Sequence, residues 1–433
     1  RKVVPGARST LLTAVGVGDS ALGIVGCIDS ECQGFEKNTL QYTVTLFENS
    51  KRARTGFGTA ESFFSLFYMS LPEPTFIGEK QSTDLLHKGD PLLAVRTSCR
   101  EAIENSAIEI SENGVDDFLK SLNKLQFEEL SIDSTMRMPV RFDSLAQELN
   151  FIALIDLLNF GSGYRVPLHK YTGRGAFDTI RFGAMSFHIG GTPLTAATFK
   201  NITAFEISEI FQFPIDREYT PEGMPFVTMT EANELKRLAI GIAQVLNSTG
   251  EFLQSHGYQD LASFILDVTK PSGGNPPSAK NLVDHLIRAL PGLHDFTVIQ
   301  GKTVYLYKKA QILTYHVWMF FKDQDPDRFN FADIKELTIF SDNVIPTMLE
   351  HLKVIRLPDA LQQKIEAGQE LTTEEAYLAR AAAVVACERI VQKAHSTIPH
   401  MTEGELDVYL WRLGKEGDYR KIVRLQLQDT VMF

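Results

Sequence analysis

Four polar side chains stand out because each lies inside an apolar, aromatic-rich stretch of the sequence. They are Asn159 in LLNFGSGYR, Lys308 in YLYKKAQIL, Asp342 in TIFSDNVIP and Asp407 in ELDVYLW. Amide, ammonium and carboxylate groups bind polar substrates and stabilise charge in transition states. A carboxylate in apolar surroundings needs a cationic or hydrogen-bonding partner, because burying an unpaired charge is costly. Lys308 is the obvious candidate to pair with Asp342.

Each of these four residues also fits an ordinary structural role, and spacing alone does not decide between the two interpretations. Asp342 stands shortly before a proline in a predicted first helical turn, which is typical of a helix N-cap. Lys308 fits a strand end whose long side chain reaches solvent, Asn159 fits a buried helix C-cap, and Asp407 fits a surface acid on an amphipathic helix.

The elements that must position these residues are mainly helical, because apolar residues recur at three- and four-residue steps from Pro91 onward. Helices are predicted over residues 94–122 with a break at SENG, 143–160 after an Asp/Ser cap, 230–257 up to a glycine, and 372–394 after a capping box. The segment FTVIQGKTVYLY, residues 296–307, predicts two strands and a tight turn. The predicted fold class is therefore mainly α with a small β element.

A change of composition divides the chain near residue 90. Residues 1–89 are rich in Gly, Ser and Thr and contain one strand-like segment, LQYTVTLF at residues 40–47. We predict an N-terminal extension of unknown role over residues 1–89, dispensable for chemistry, and one functional domain over residues 90–433.

The composition of the 433-residue chain predicts a folded, soluble protein and disfavours several classes of ligand. The net charge of −11 and the absence of an Arg or Lys block disfavour a polynucleotide, because phosphate backbones attract basic surfaces. No apolar run approaches the roughly 20 residues that cross a bilayer. The four cysteines form no CxxC pair, so we expect neither zinc nor disulfides and a cytoplasmic location. Because the sequence starts at Arg1, we expect its true start, with any targeting signal, to be missing.

Standard cofactor and nucleophile motifs are absent from the sequence. It contains no GxSxG, no phosphate-binding P-loop and no HExxH. The segment HIGG, residues 188–191, is explained more simply by a helix end and a turn than by a phosphate site. We therefore predict no metal and no cofactor.

Five blocks of the sequence, taken in order, resemble the queuosine salvage protein family, the queuosine 5′-phosphate N-glycosylases. The blocks are RTSCREAIENSAIEISENGVDDF, LNFIALIDLLNFGSGYR, GKTVYLYKKAQILTYHVW, ELTIFSDNVIPTMLEHLKVI and ELDVYLW, within residues 91–415. The resemblance implies a helical fold similar to the helix-hairpin-helix DNA glycosylases. It also implies hydrolysis of the N-glycosidic bond of queuosine 5′-phosphate, which releases queuine and ribose 5-phosphate and supplies queuine for tRNA modification. The implied substrate is a small molecule, without direct nucleic-acid or membrane binding.

The resemblance also implies roles for individual residues. In this family the acid of the FxD block before a proline is catalytic, which places that role on Asp342. The lysine of the YK-x-AQ block falls on Lys308, and the LNF block places substrate binding on Asn159 and Phe160. Asp407 is a further substrate-binding candidate. A flat deazapurine base also needs aromatic contact, for which Trp318 or Trp411 is suitable.

The expected phosphate contacts differ from the family pattern at one position. Many members read Asp-Tyr-Arg where this chain reads Asp-Asn-Val, so Val344 replaces an arginine. Another cation must then bind the phosphate, and we expect Arg165 or Lys308 to do so, because Arg165 follows a glycine turn with available backbone N–H groups. Further candidates are Lys309, Arg328 and Arg424.

Two other functions remain open at this point. A DNA or RNA base glycosylase shares a buried acid but should have a basic face and a base-flipping wedge. A non-catalytic queuine-binding protein would use Asp342 only to cap a helix.

Overall fold

The computed structural model describes residues 10–13, 23–26, 41–46, 54–59, 83–132, 138–271 and 276–433. The chain divides into two units, residues 1–73 and residues 74–433. In the first unit four strands form one antiparallel sheet in the order β1-β2-β3-β4: β1 Thr10–Thr13, β2 Gly23–Gly26, β3 Gln41–Leu46 and β4 Arg54–Thr59. Strand β3 confirms the strand predicted over residues 40–47. Cys27 and Cys32 lie outside the described residues.

The second unit is mainly helical over its described residues, as the apolar periodicity predicts. Its first half contains α1 Pro91–Glu104, β5 Glu109–Ile110, α2 Glu112–Ser121, α3 Lys124–Leu130, α4 Leu145–Leu157, α5 Arg165–Thr172, α6 Ala176–Ile189, α7 Ala196–Asn201, α8 Ala204–Phe211, β6 Asp216–Tyr219 and β7 Met229–Ala232. Its second half contains α9 Leu235–Ser255, α10 Leu261–Val268, α11 Ala279–Ala289, β8 Phe296–Ile299, β9 Lys302–Tyr305, α12 Lys308–Phe321, α13 Pro326–Phe329, α14 Val344–His351, β10 Ile355–Arg356, α15 Asp359–Glu366, α16 Thr373–Ala394 and α17 Glu403–Leu413.

Side-chain caps explain where several of these helices begin. Helix α16 starts with the predicted capping box, in which Thr372 and Glu375 exchange side-chain and backbone hydrogen bonds. The predicted break at SENG is wrong in its position. Ser111 accepts the N–H of Gly114, so these residues form the first turn of α2, and the break lies before Ser111.

Short strand pairs interrupt the helices. The predicted hairpin is present as β8 and β9, joined at Gln300 and Gly301, which both have positive φ. The sequence did not reveal two other antiparallel pairs, β6 with β7 and β5 with β10. Strands β6 and β7 are exposed on both faces, so they lack the alternation of apolar and polar residues that identifies a strand.

Helix α4 lies in the centre of the core, since every residue from Leu149 to Leu157 is buried. It packs against α10 and α12, and α16 packs against α1, α14 and α17. These helices carry or adjoin the candidate residues. Asn159 follows α4, Lys308 begins α12, Asp342 precedes α14 and Asp407 lies on α17.

The described residues were compared with the sequence predictions for membrane helices, metal sites, cysteines and the HIGG segment. No described helix has both the length and the apolar composition for a membrane crossing, and no group of three or more His, Cys, Asp or Glu among these residues suits a metal ion. Cys99 and Cys387 are buried thiols, and burial raises the pKa of both. The segment HIGG is the end of α6 followed by a turn, with Gly191 at a φ of 67°.

Candidate active site

Two adjoining cavities meet at Asp342 in the second unit. The outer cavity has a volume of about 380 Å³ and the inner cavity about 30 Å³. Five described residues line both cavities: Asn159, Phe177, Lys308, Asp342 and Trp411. The outer cavity is also lined by cationic side chains, namely Arg165, Arg181, Lys415, Arg420 and Arg424. The inner cavity is also lined by Ile312, His316, Phe340, Asp407 and Val408.

The extended segment that leads to Asp342 is held by side chains rather than by a sheet. The backbone N–H of Thr338 donates to Gln311 Oε1 at 2.8 Å. The next two N–H groups, those of Ile339 and Phe340, donate to the carboxylates of Glu403 and Asp407, each at 3.0 Å. Glu403 and Asp407 lie one turn apart on α17, so one helix face fixes two consecutive peptide groups.

A buried ion pair fixes the residue immediately before Asp342. The guanidinium of Arg380 bonds both oxygens of Asp295, at 2.9 and 2.7 Å, and neither side chain is exposed. Arg380 Nε also donates to the carbonyl oxygen of Ser341, and Ser341 Oγ donates to the carbonyl oxygen of Arg380. Asp295 also accepts the backbone N–H of Lys308. Its carboxylate therefore connects Lys308 directly, and Asp342 through Arg380 and Ser341, to the same buried ion pair.

Asp342 itself caps helix α14. Its Oδ1 accepts the backbone N–H of Val344 at 2.6 Å and that of Ile345 at 3.1 Å. The capping role predicted as an alternative is therefore present, and it is compatible with a chemical role. The two backbone donors fix the orientation of the carboxylate, and the side chain still borders both cavities.

Lys308 is buried, and the prediction that it reaches solvent is wrong. Its side chain points inward, where Nζ donates to the carbonyl oxygen of Asn159 at 2.8 Å. Burial lowers the pKa of Lys308, and the negative charge of Asp342 acts in the opposite direction. Lys308 therefore joins the end of α4 to the start of α12 at the junction of the two cavities.

The loop after α4 presents Asn159 and Phe160 to the outer cavity. Gly161 has a φ of 95°, a conformation that favours glycine, and its N–H donates to the carbonyl oxygen of Phe433. Gly163 allows close packing against the C-terminal segment, since a Cβ there would lie 2.4 Å from the carbonyl oxygen of Leu427. The predicted role of Asn159 as a buried C-cap is wrong, because Leu158 caps α4 and Asn159 is the half-buried residue after it, where it lines both cavities.

Asp407 is a buried residue, so its predicted alternative as a surface acid is wrong. Only 5% of it is exposed, and the side chain lines the inner cavity. Sequence periodicity failed here because the face of α17 that carries Glu403 and Asp407 packs against the segment before Asp342. Burial raises the pKa of Glu403 to about 7, although the cation Arg96 beside it acts against this shift.

Three arginines surround one region of the outer cavity. Arg165 begins α5 and donates to the backbone carbonyl of Arg420 at 3.3 Å, while Arg424 donates to the carbonyl oxygen of Gly414 at 2.7 Å. Burial lowers the pKa of Arg165 and of Arg424, and the neighbouring arginines lower both further. Like charges held this close favour binding of an anion between them.

The other sequence candidates divide between this site and the rest of the molecule. Trp411 lines both cavities and packs edge-on against Phe177 with ring centroids 5.2 Å apart, whereas Trp318 lines neither. Lys309 is buried, and its Nζ donates to the carbonyl oxygen of Leu157. Arg328 pairs with Asp325 and lines neither cavity.

Several cavity residues were not predicted from the sequence. Phe177 and Arg420 belong to segments with no motif. His316 lies in the block GKTVYLYKKAQILTYHVW but was not singled out there, and tertiary packing brings all three to the cavities. The only local signal for Phe177 is the preceding GRG turn, residues 173–175, which ends one helix and begins another.

Comparison with known proteins connects this geometry to a family. Residues 140–431, about two thirds of the chain, match the family described as queuosine salvage protein. The chain belongs to the queuosine salvage protein family. The matched region contains every described residue that lines the two cavities except Phe433.

Relatives within the queuosine salvage protein family include proteins from distant organisms, each named queuosine 5′-phosphate N-glycosylase/hydrolase. The protein of Sphaerobacter thermophilus is 30% identical over 176 residues, which cover 40% of this chain and 51% of that protein. That of Dictyostelium discoideum is 32% identical, over 32% of this chain and 43% of that protein. The bovine protein is 24% identical over 76% of this chain and 94% of its own length. The chain thus spans about half the length of the first two relatives.

Proposed function

We propose that this protein hydrolyses the N-glycosidic bond of queuosine 5′-phosphate and releases queuine and ribose 5-phosphate, with queuine then available for tRNA modification. The observation that supports this proposal best is the position of Asp342, at the junction of a cationic cavity and an aromatic one. A nucleotide has the matching order of parts, because its ribose lies between an anionic phosphate and a flat base.

In the proposed complex the ribose carbon C1′ lies beside the carboxylate of Asp342. Breaking the bond between C1′ and the base develops positive charge on the ribose, and a fixed carboxylate stabilises that charge best where water is excluded. Asp342 also orients the attacking water and accepts its proton. Its two backbone hydrogen bonds and the anchor at Ser341 hold the carboxylate in place before the substrate binds.

The base is proposed to enter from the side of Phe177 and Trp411. These rings form one apolar wall, and Phe340 lies on the inner cavity next to them. Asn159, which lines both cavities, is proposed to hydrogen-bond the polar edge of the base, and Asp407, which lines the inner cavity, is proposed as a second polar contact. Lys308 is proposed to position the Asn159 loop and to balance the charge of Asp342.

The phosphate is proposed to bind among Arg165, Arg420 and Arg424. These side chains border the outer cavity, and their mutual proximity leaves an excess of positive charge there despite the net charge of −11. Arginine suits this role because its planar group donates two parallel hydrogen bonds to a phosphate. We propose that these three arginines bind the phosphate in place of the family's arginine, at whose position this chain has Val344.

The test is to incubate the purified protein with queuosine 5′-phosphate, unphosphorylated queuosine and duplex DNA carrying a damaged base, and to measure release of free base by chromatography. We expect rapid queuine release from the nucleotide, slower release from the nucleoside and none from DNA. Base release from DNA alone would support the DNA glycosylase alternative. Tight queuine binding without turnover would support the non-catalytic alternative.

We further propose that the fold is similar to that of the helix-hairpin-helix DNA glycosylases, that the protein is cytoplasmic and that it does not bind nucleic acid directly. The two structural units divide after residue 73, whereas the sequence predicted a boundary after residue 89. That residues 1–89 are dispensable for chemistry stays a prediction.

A further inference from the structure

A buried imidazole, that of His316, lines the inner cavity together with Phe177 and Trp411, the rings beside which the base is proposed to enter. His316 lies on α12, and Lys308, Ile312 and His316 follow at four-residue steps, so all three occupy one face of the helix. All three line the inner cavity, which His316 shares with Asp342 and Asp407. Only 2% of His316 is exposed, so any contact it makes with a substrate is shielded from bulk water.

A carboxylate from the central helix is paired with this imidazole. Both oxygens of Asp156 lie within hydrogen-bond distance of His316 Nδ1, at 2.8 and 3.0 Å. Asp156 lies on α4 and is fully buried. A buried carboxylate beside a histidine fixes the orientation of the ring and stabilises its protonated form. The charged groups that face His316 are Asp156 from α4, Lys308 from its own helix, Asp342 from the segment before α14, and Asp407 from α17.

The leaving group of the proposed reaction has a chemical requirement that this pair meets. When the bond between C1′ and the base breaks, its electron pair moves onto the base, which then carries negative charge. Queuine is a 7-deazaguanine, in which carbon replaces the ring nitrogen N7, so the base offers no basic nitrogen at that position. A proton donor must therefore act on the nitrogen- and oxygen-bearing edge of the base, deep in the base site.

We propose that His316, held and charged by Asp156, is a catalytic residue that donates a proton to the departing deazapurine base. The role depends on the proposed hydrolase activity. As the bond to C1′ breaks, the base takes the bonding electrons and the proton of His316. The oxygen of water bonds to C1′, and the proton of that water goes to Asp342. Exchange with solvent then removes the proton from Asp342 and returns one to His316, so that water has been added across the bond.

The experiment compares His316→Gln and Asp156→Asn with the wild type, using queuosine 5′-phosphate. Glutamine keeps a polar side chain of similar reach but transfers no proton, so kcat should fall on the order of a hundredfold while KM changes little. Asp156→Asn should move the alkaline decline of kcat to lower pH by about one unit or more, because the protonated imidazole loses its negative partner. His188→Gln, which removes a half-buried imidazole outside both cavities, is the matched control and should leave kcat unchanged.

A second substrate separates proton donation from structural damage. 4-Nitrophenyl ribofuranoside 5-phosphate has a leaving group that departs without protonation, so His316→Gln should slow it much less than queuosine 5′-phosphate. Equal slowing of both substrates, or an alkaline decline that stays in place in both variants, would overturn the role of His316. A wild-type protein that releases no queuine would instead overturn the proposed function itself. If the wild type does not accept the nitrophenyl compound, the pH profiles decide alone.

Discussion

Arg380 Nε donates a hydrogen bond of 2.8 Å to the carbonyl oxygen of Ser341, the residue immediately before Asp342. The same guanidinium forms a fully buried ion pair with Asp295. The ion pair thus sets the position of the peptide that carries the candidate catalytic acid, and its loss should affect both stability and activity.

Arg380→Gln should lower the free energy of unfolding by about 3–5 kcal/mol, because it leaves the charge of Asp295 buried without its partner. Urea denaturation followed by circular dichroism measures this. The double variant Arg380→Gln with Asp295→Asn should lose less than the sum of the two single losses, since it removes both charges. Strictly additive losses would show that the two residues are not energetically coupled.

Asp342→Asn should reduce queuine release by a hundredfold or more while changing the free energy of unfolding by less than about 1 kcal/mol. Asparagine has a side-chain oxygen in the same place and can accept the N–H groups of Val344 and Ile345, so the helix cap survives. Asp178→Asn is the control, because Asp178 also lines the outer cavity. Retention of more than a tenth of the wild-type rate would contradict the catalytic role of Asp342.

Arg420→Ala and Arg165→Ala should each lower kcat/KM for queuosine 5′-phosphate by about 10- to 100-fold, as expected for loss of a charge-assisted hydrogen bond. The slower reaction of unphosphorylated queuosine should change little. Arg420→Ala keeps the backbone carbonyl that Arg165 bonds, so it removes the charge without removing that contact. Arg217→Ala, on the exposed strand β6, is the control. Equal slowing of the two substrates would place the phosphate elsewhere.

His87→Ala should reduce kcat on the order of tenfold, because His87 fixes the residue before Lys308. Its Nδ1 lies 3.0 Å from the hydroxyl of Tyr307, its Nε2 lies 2.9 Å from Asp284, and Tyr307 has a strained φ of 55°. We therefore expect the dispensable stretch to end before Thr83 rather than at residue 89. A protein that begins at Gly89 and keeps the wild-type kcat would disprove this, whereas His256→Ala, at an exposed histidine, should have no effect.

Glu403→Gln should change how stability depends on pH. The native pKa of Glu403 is raised from 4.5 to about 7, so the folded protein holds this proton more tightly than the unfolded chain does. The resulting stabilisation is fully present below pH 4.5 and is lost as the pH rises through 7. The free energy of unfolding of the wild type, relative to Glu403→Gln, should therefore fall by about 3 kcal/mol between pH 4.5 and pH 8. Glu374→Gln, at an exposed glutamate, should show no such trend.

The helical fold class and the family could be predicted from the sequence because both are visible as patterns within short segments. Helical periodicity is visible within one segment, and Asp342, Lys308 and Asn159 each belong to a short block that resembles the family. The family prediction is confirmed by the match over residues 140–431. The burial of Lys308 and Asp407 was not predictable from the sequence. The sequence shows that a position on a helix is polar, but it does not show which other segment packs against that position.

The cationic residues of the outer cavity illustrate the same limit. Arg165 was predicted from its glycine turn, but Arg420 lies in a polar stretch with no motif and reaches the cavity through the packing of the C-terminal segment. The sequence candidates Lys309 and Arg328 are charged residues of the same type, yet one is buried against α4 and the other lies outside both cavities. Residue type indicates which chemistry is possible, whereas tertiary packing decides which side chain performs it.

The side-chain contacts that hold the segment before Asp342 have a consequence for how the protein folds. Its peptide groups bond to Gln311, Glu403 and Asp407, which lie 27, 64 and 67 positions away in sequence. No neighbouring strand forms these bonds, so they cannot appear before α12 and α17 have docked. During refolding, helical circular dichroism should therefore recover first. Catalytic competence should return only with the slowest tertiary step, and a partly folded intermediate should be inactive even when its helix content is nearly complete.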